Sequence, residues 1–133
     1  MNDRDIPRRF SMRKRLHSFV YAGRGLRLLL REHNTWIHLV ATVAVVITGL
    51  CFRLSLSEWA ITVLVIGGVW ITEAINTAIE RLCDHVTPQR HPDIARIKDV
   101  AAGAVLLAAI TAVIAGICIF LPHIAALCSQ YFS

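Results

Sequence analysis

Apolar residues come in long blocks along this chain, and polar residues gather between the blocks. Three blocks are long enough to cross a hydrocarbon core, which takes about 20 residues of helix. The first, 35–52, has His38 as its only basic or acidic side chain. The second begins at Ser57 and is predicted to stay helical to 82. The third, 98–121, carries no charge from Val100 to Leu121. Pro122 is expected to end it, since proline removes a backbone donor and clashes with the preceding turn. Residues 123–133 then form a short external tail. Residues 11–31 read differently: Leu16, Phe19, Val20, Leu26 and Leu30 are interleaved with Arg and Lys at near-helical spacing. That is the pattern of a basic amphipathic helix lying in the headgroup plane. Residues 1–10 are polar and expected to be loose. The predicted architecture is an all-α membrane protein, one domain over 1–133, with a surface helix (11–31) and three transmembrane helices (35–52, 57–82 and 98–121).

Composition agrees, and charge placement adds a topology. Of 133 residues, 56% are hydrophobic and only 17% charged, unlike a soluble domain of this size. Nine of the fourteen Lys and Arg residues precede the first span, and Arg81, Arg90, Arg96 and Lys98 surround the link between spans two and three. Arg53 alone lies between spans one and two. By the positive-inside rule the N-terminus and the 81–99 link face the cytoplasm, whereas Arg53 and the C-terminus face out. A multi-pass protein of the cytoplasmic membrane is expected. The net charge of +5 comes from these flanks and suits an anionic leaflet, so no nucleic-acid partner is implied. The first 34 residues lack the short apolar core of a signal peptide. Cys51, Cys83, Cys118 and Cys128 form no CxxC pair and read as small packing residues.

Candidate chemistry lies at the end of the second span. Glu73 follows fourteen uncharged residues, Trp59 through Thr72. An acidic group at that depth is costly unless it has a partner or a task. Glu73, Asn76 and Glu80 stand at i, i+3 and i+7 and share one helix face. Glu32 precedes the first span at a similar depth. Two carboxylates there suit a hard divalent ion, and Mg²⁺ keeps waters and binds phosphates. Arg90, Arg96 and Lys98 offer charge to neutralise phosphates, and Glu73 offers a base for a hydroxyl at membrane level. Together these suit phosphoryl transfer from a nucleotide to a lipid alcohol, with no Walker A motif or protein-kinase glycine loop in the chain. Plainer readings remain: Asn76 and Thr77 suit hydrogen bonds between spans, and Glu32, Arg81 and Asp84 suit interfacial charge. His38 and His91 suit structural roles. A small proton-coupled transporter working through Glu73 is the alternative function, although such a site belongs nearer the midplane than this cytoplasm-facing cluster.

The blocks Glu73-Ala-Ile-Asn76-Thr77-Ala-Ile-Glu80 and Lys98-Asp99-Val-Ala-Ala-Gly103-Ala-Val-Leu resemble the small prokaryotic diacylglycerol kinases, a family that includes undecaprenol kinases. Ser18-Phe-Val-Tyr21-Ala-Gly-Arg24-Gly25-Leu26, Glu32-His-Asn34-Thr-Trp-Ile-His38-Leu, Asp84 and His91-Pro92 extend the resemblance over about residues 14–122. It implies an ATP-dependent kinase of the bacterial inner membrane, acting on diacylglycerol or undecaprenol in lipid metabolism. By position, Glu73 matches the family's base and Asn76 its supporting amide. Glu32 and Glu80 match the carboxylates that hold Mg²⁺. Gln89, Arg90, His91, Lys98 and Asp99 match ATP contacts, and Tyr21 belongs to the same pocket. The resemblance also implies a homotrimer whose sites are shared between subunits. Gly23 stands where relatives often carry an aromatic residue, and Trp36 where a basic residue is common. Lys14 matches a basic position of the surface helix only loosely. Asn34 and His38 look more like the undecaprenol-kinase branch.

Overall fold

The computed structural model describes residues 12–87, 89 and 91–131. Residues 1–11 and Arg90 therefore lie outside it. The described residues form four helices, α1 (Met12–Leu29), α2 (Thr35–Phe52), α3 (Leu56–Val86) and α4 (Pro92–Tyr131). Helices α2, α3 and α4 are each long and apolar enough to cross a membrane. At a rise of 1.5 Å per residue, α3 and α4 are about 46 and 60 Å long, against a hydrocarbon core of about 30 Å. Both must project beyond the bilayer.

Polar and apolar residues are arranged inside out. Leu64 and Val100 are each 75% exposed, whereas Thr35 and Glu73 are each only 1% exposed. Outward apolar and inward polar side chains suit a protein whose surroundings are lipid. The most extensive helix pairing is α3 with α4. Cys83 and Ala101, one on each of these helices, are among the few buried small residues. All four cysteines are free.

Helix α1 passes into α2 through a tight turn. Its i→i+3 hydrogen bonds include Glu32 N–H to the Leu29 carbonyl (3.0 Å) and Thr35 N–H to the Glu32 carbonyl (3.2 Å). Both backbone groups of Glu32 are thereby tied, which fixes where its side chain departs. At the other end, α2 closes on Arg53, which adopts the left-handed conformation at φ 54°. Leu54 N–H then bonds back to the Gly49 carbonyl at 3.1 Å, a Schellman-type closure. Gly49 is needed there because a Cβ would meet the Trp59 ring at 2.9 Å. Ser55 caps α3 reciprocally with Glu58: the Ser55 N–H donates to Glu58 Oε2 (2.7 Å) and the Glu58 N–H to Ser55 Oγ (3.4 Å).

Pro122 does not end the last helix. Helix α4 runs through it to Tyr131, which corrects the expected tail. Proline forfeits one hydrogen bond, the one to the carbonyl four residues back. The next turn is held from outside: His123 Nε2 lies 2.9 Å from Glu58 Oε1, and its ring stands 5.7 Å from that of Phe52. Contacts made on α2 and α3 thus offset a local break in α4.

Candidate active site

Glu73 sits on α3 with its side chain only 2% exposed, and its Oε2 accepts no hydrogen bond. The approaching group is His38 of α2, whose Nε2 lies 3.5 Å from that oxygen. About one turn further along both helices, Trp70 Nε1 donates to Thr42 Oγ1 at 3.0 Å. Thr42 Oγ1 in turn donates to the His38 carbonyl at 2.7 Å. This pair of crossings sets the register of α2 against α3 where the carboxylate is buried.

One turn towards the C-terminal end of α3, the Asn76 amide donates from Nδ2 to Glu80 Oε1 at 3.1 Å. Asn76 is 5% exposed and its Oδ1 is buried without a hydrogen-bond partner. Two orphaned oxygens one turn apart, on Glu73 and Asn76, are costly in an apolar setting, so each is a place where a donor from outside the chain is worth most. Glu80 itself is exposed. Glu32, in the α1–α2 turn, is clamped by Arg81 of α3 through an ion pair across the helices. Arg81 follows Glu80 directly, so the clamp brings the Glu32 carboxylate to the end of α3 that also carries Glu80. Among the described residues no three His, Cys, Asp or Glu side chains converge as a metal site.

Where α3 meets α4 there is a cavity of about 510 Å³, lined by Asp84, Thr87, Gln89, His91 and Lys98 among others. Ligand pockets typically enclose roughly 300–1,000 Å³. Lys98 Nζ lies 2.5 Å from Asp84 Oδ1 across it. The N-terminus of α4 also opens here: Pro92 suits the first helical position, and His91 caps the turn, its Nδ1 accepting from the Asp93 N–H at 3.3 Å and its carbonyl from the Ala95 N–H at 3.0 Å. Arg96 is held by Asp93 at 3.3 Å. Lys98, His91 and Gln89 thus offer donors at one cavity, beside the Asp84 carboxylate that holds Lys98.

Of the residues singled out in the sequence, Glu73 with Asn76, Asn76 with Glu80, and Gln89 with His91 and Lys98 are brought together. Asp99 is exposed and does not line the cavity. Tyr21 is 62% exposed, and its ring contacts are to His17 and Arg24 of its own helix. Three further residues gain meaning from the structure: His38 against Glu73, Arg81 on Glu32, and Asp84 on Lys98. Their sequence signals were a lone histidine in an apolar span and charges near a membrane rim, neither of which names a partner.

A family model described as prokaryotic diacylglycerol kinase matches residues 20–120. The chain is similar to an undecaprenol kinase of Bacillus subtilis, 45% identical over 108 residues that cover 80% of this chain and 88% of the relative. It is also similar to a diacylglycerol kinase of Synechocystis, 40% identical over 114 residues, 84% of this chain and 65% of that longer relative.

Proposed function

The chain belongs to the prokaryotic diacylglycerol kinase family and is an ATP-dependent lipid kinase of the membrane, and on that premise we propose how its residues divide the work and which lipid they serve. The substrate is undecaprenol, and the product is undecaprenyl phosphate. The undecaprenol kinase relative aligns over 88% of its own length, against 65% for the diacylglycerol kinase. Both named relatives are kinases, which leaves the proton-transport alternative without support.

The observation that carries the division of labour is the buried Glu73 carboxylate, with an oxygen that accepts no hydrogen bond, on the same helix as Asp84, which lines the cavity. An acceptor without a donor, at membrane depth, is suited to a hydroxyl arriving from the lipid side. Glu73 takes the hydroxyl proton as the oxygen attacks the γ-phosphorus. The Asn76 carbonyl oxygen, also orphaned, orients the same hydroxyl. ATP phosphates occupy the cavity against Lys98 and His91, with Gln89 at its edge. Arg90 and Asp99 complete the ATP contacts from the link and the outer face of α4, and Tyr21 covers the nucleotide from α1.

Glu32 and Glu80 fit a magnesium ion as hard oxygen donors at an exposed rim, each now holding one partner, Arg81 or Asn76, that can give way. Bound there with ATP, Mg²⁺ would supply positive charge to offset that of the phosphates. Two carboxylates leave room for phosphate and water ligands. Positioning of hydroxyl and phosphate at one interface supplies most of the rate.

The working unit is a homotrimer in the cytoplasmic membrane, with the N-terminus and the 81–99 link inside. In support, the apolar stretches of α2 and α4 are each only 11% buried within the chain, leaving faces for lipid and neighbouring subunits. The test is transfer of radiolabelled γ-phosphate in mixed micelles, with undecaprenol and diacylglycerol offered separately and Glu73→Gln as control. Label in undecaprenol, absent from the variant, is expected. Label in diacylglycerol alone would move the substrate to glycerolipid, and label in neither would end the kinase assignment.

A further inference from the structure

His38 is the one basic or acidic side chain of α2, and nothing in the division of labour above uses it. Its side chain is only 15% exposed, in a helix otherwise built for lipid. A half-buried imidazole on such a helix must have something to face, and what it faces is Glu73. Nε2 lies 3.5 Å from Oε2, the same carboxylate oxygen that accepts no hydrogen bond. That separation is just beyond a well-formed hydrogen bond. Catalytic hydrogen bonds are often long before substrate arrives and tighten in the reacting complex.

The surrounding contacts hold this approach in place. Trp70 and Glu73 are three residues apart on α3; Thr42 and His38 are four apart on α2. The Trp70–Thr42 hydrogen bond therefore pins the two helices one turn from the imidazole, and Thr42 ties itself to the His38 carbonyl. A sliding of α2 against α3 would therefore disturb the Trp70 bond and the His38–Glu73 approach together. This is the arrangement of a base held by a second residue, itself held by a third.

We infer that His38 is a positioning residue of the phosphoryl transfer: with its proton on Nε2, it donates to Glu73 Oε2 and aims the other carboxylate oxygen at the lipid hydroxyl. This inference rests on the lipid-kinase reading and goes beyond it by adding a residue on another helix. In the step, the hydroxyl proton passes to Glu73 as the O–P bond forms. The bond between the γ-phosphorus and the bridging oxygen breaks, and ADP leaves with that electron pair. His38 keeps its own proton throughout, so the proton count closes on Glu73 and ADP alone.

Geometry makes a specific demand on replacements. A glutamine at 38 can present an amide N–H near the place of Nε2, whereas an asparagine is one carbon short and reaches only the Nδ1 position. Both are polar, uncharged and helix-tolerated, so a role in packing or solubility would not rank one above the other. Steady-state kinetics with undecaprenol and ATP would be measured for wild type, His38→Ala, His38→Gln and His38→Asn in the same micelles. A misplaced base costs on the order of 100-fold, so His38→Ala and His38→Asn are expected to lose about that much kcat. KM for ATP should stay within about twofold, because the nucleotide cavity is remote from α2. His38→Gln should recover most of kcat, and added imidazole should partly restore His38→Ala.

Wild-type transfer with His38→Ala at unchanged kcat would overturn the inference and leave the kinase standing. Equal kcat for the Gln and Asn variants, or a rise in ATP KM that matches the loss in kcat, would overturn it in favour of a packing role. Absence of transfer by wild type would instead strike the kinase reading itself.

Discussion

Arg81 and Glu32, 49 positions apart in sequence, are joined by an ion pair that ties α3 to the α1–α2 turn. The two side chains are 51% and 39% exposed, so the pair adds little stability, about 0–1 kcal/mol. Its consequence is positional. It presents one carboxylate of the proposed metal pair beside the helix that carries the other, and it must yield when magnesium and phosphate arrive. Arg81→Met therefore frees Glu32, and the magnesium concentration at half-maximal rate is expected to fall a few-fold. Glu32→Gln and Glu80→Gln each remove a hard donor and should raise it about tenfold or more. Magnesium titrations of the transfer rate at fixed ATP check both signs. A rise for Arg81→Met would make the arginine part of the phosphate site instead of a gate on it.

Glu73→Gln separates chemistry from architecture. The amide keeps the shape of the side chain but cannot take the hydroxyl proton, so loss of general-base catalysis should cost about 10²–10⁴-fold in kcat. Nucleotide affinity should be unchanged, as measured by equilibrium binding of a labelled ATP analogue. Thermal stability is expected to hold or rise, because a buried charge with an unpaired oxygen is removed. A drop in melting temperature together with the loss of turnover would recast Glu73 as a structural residue.

Trp70→Phe tests the register of α2 against α3. The substitution keeps an aromatic ring but deletes the donor to Thr42 Oγ1. Hydrogen bonds between membrane helices are worth roughly 0.5–2 kcal/mol, so stability should fall by about that amount. Since the same bond pins His38 beside Glu73, kcat should fall several-fold while KM for ATP does not move. Detergent melts and steady-state kinetics on one preparation give both readouts.

Much of this organisation is legible in the order of residues. An uninterrupted apolar run has to become a helix in lipid, so α2, α3 and α4 follow from block length, and Glu73 is conspicuous because it breaks such a run. What one chain of letters cannot carry is register. His38 and Glu73 are both visible as isolated polar residues, but whether they meet depends on how far α2 slides along α3, which is settled by Trp70 on Thr42. The same holds for Arg81 on Glu32 and for Lys98 on Asp84. Pro122 shows the converse error. Its rule is local, and the contact that outweighs it, Glu58 to His123, comes from 65 residues away.

Gly49 and Gly67 make a matched pair for testing that the α2–α3 hairpin carries stability and not catalysis. A Cβ at Gly49 would meet Trp59 at 2.9 Å and Leu54 at 3.1 Å, whereas at Gly67 it would meet nothing within 4 Å. Overpacking of this kind costs about 1–3 kcal/mol, so Gly49→Ala should lower the melting temperature in detergent. Gly67→Ala should leave it unchanged or raise it, since alanine is favoured over glycine in a helix by about 1 kcal/mol. Gly49 lies eleven residues beyond His38 on α2, about 16 Å along the axis, so the strain is released away from Glu73. Kcat per folded molecule is accordingly expected to match wild type in both variants. A fall in kcat for Gly49→Ala at temperatures well below its melting point would mean that the hairpin sets the α2–α3 register over its whole length, and that the Trp70–Thr42 bond does not hold it alone.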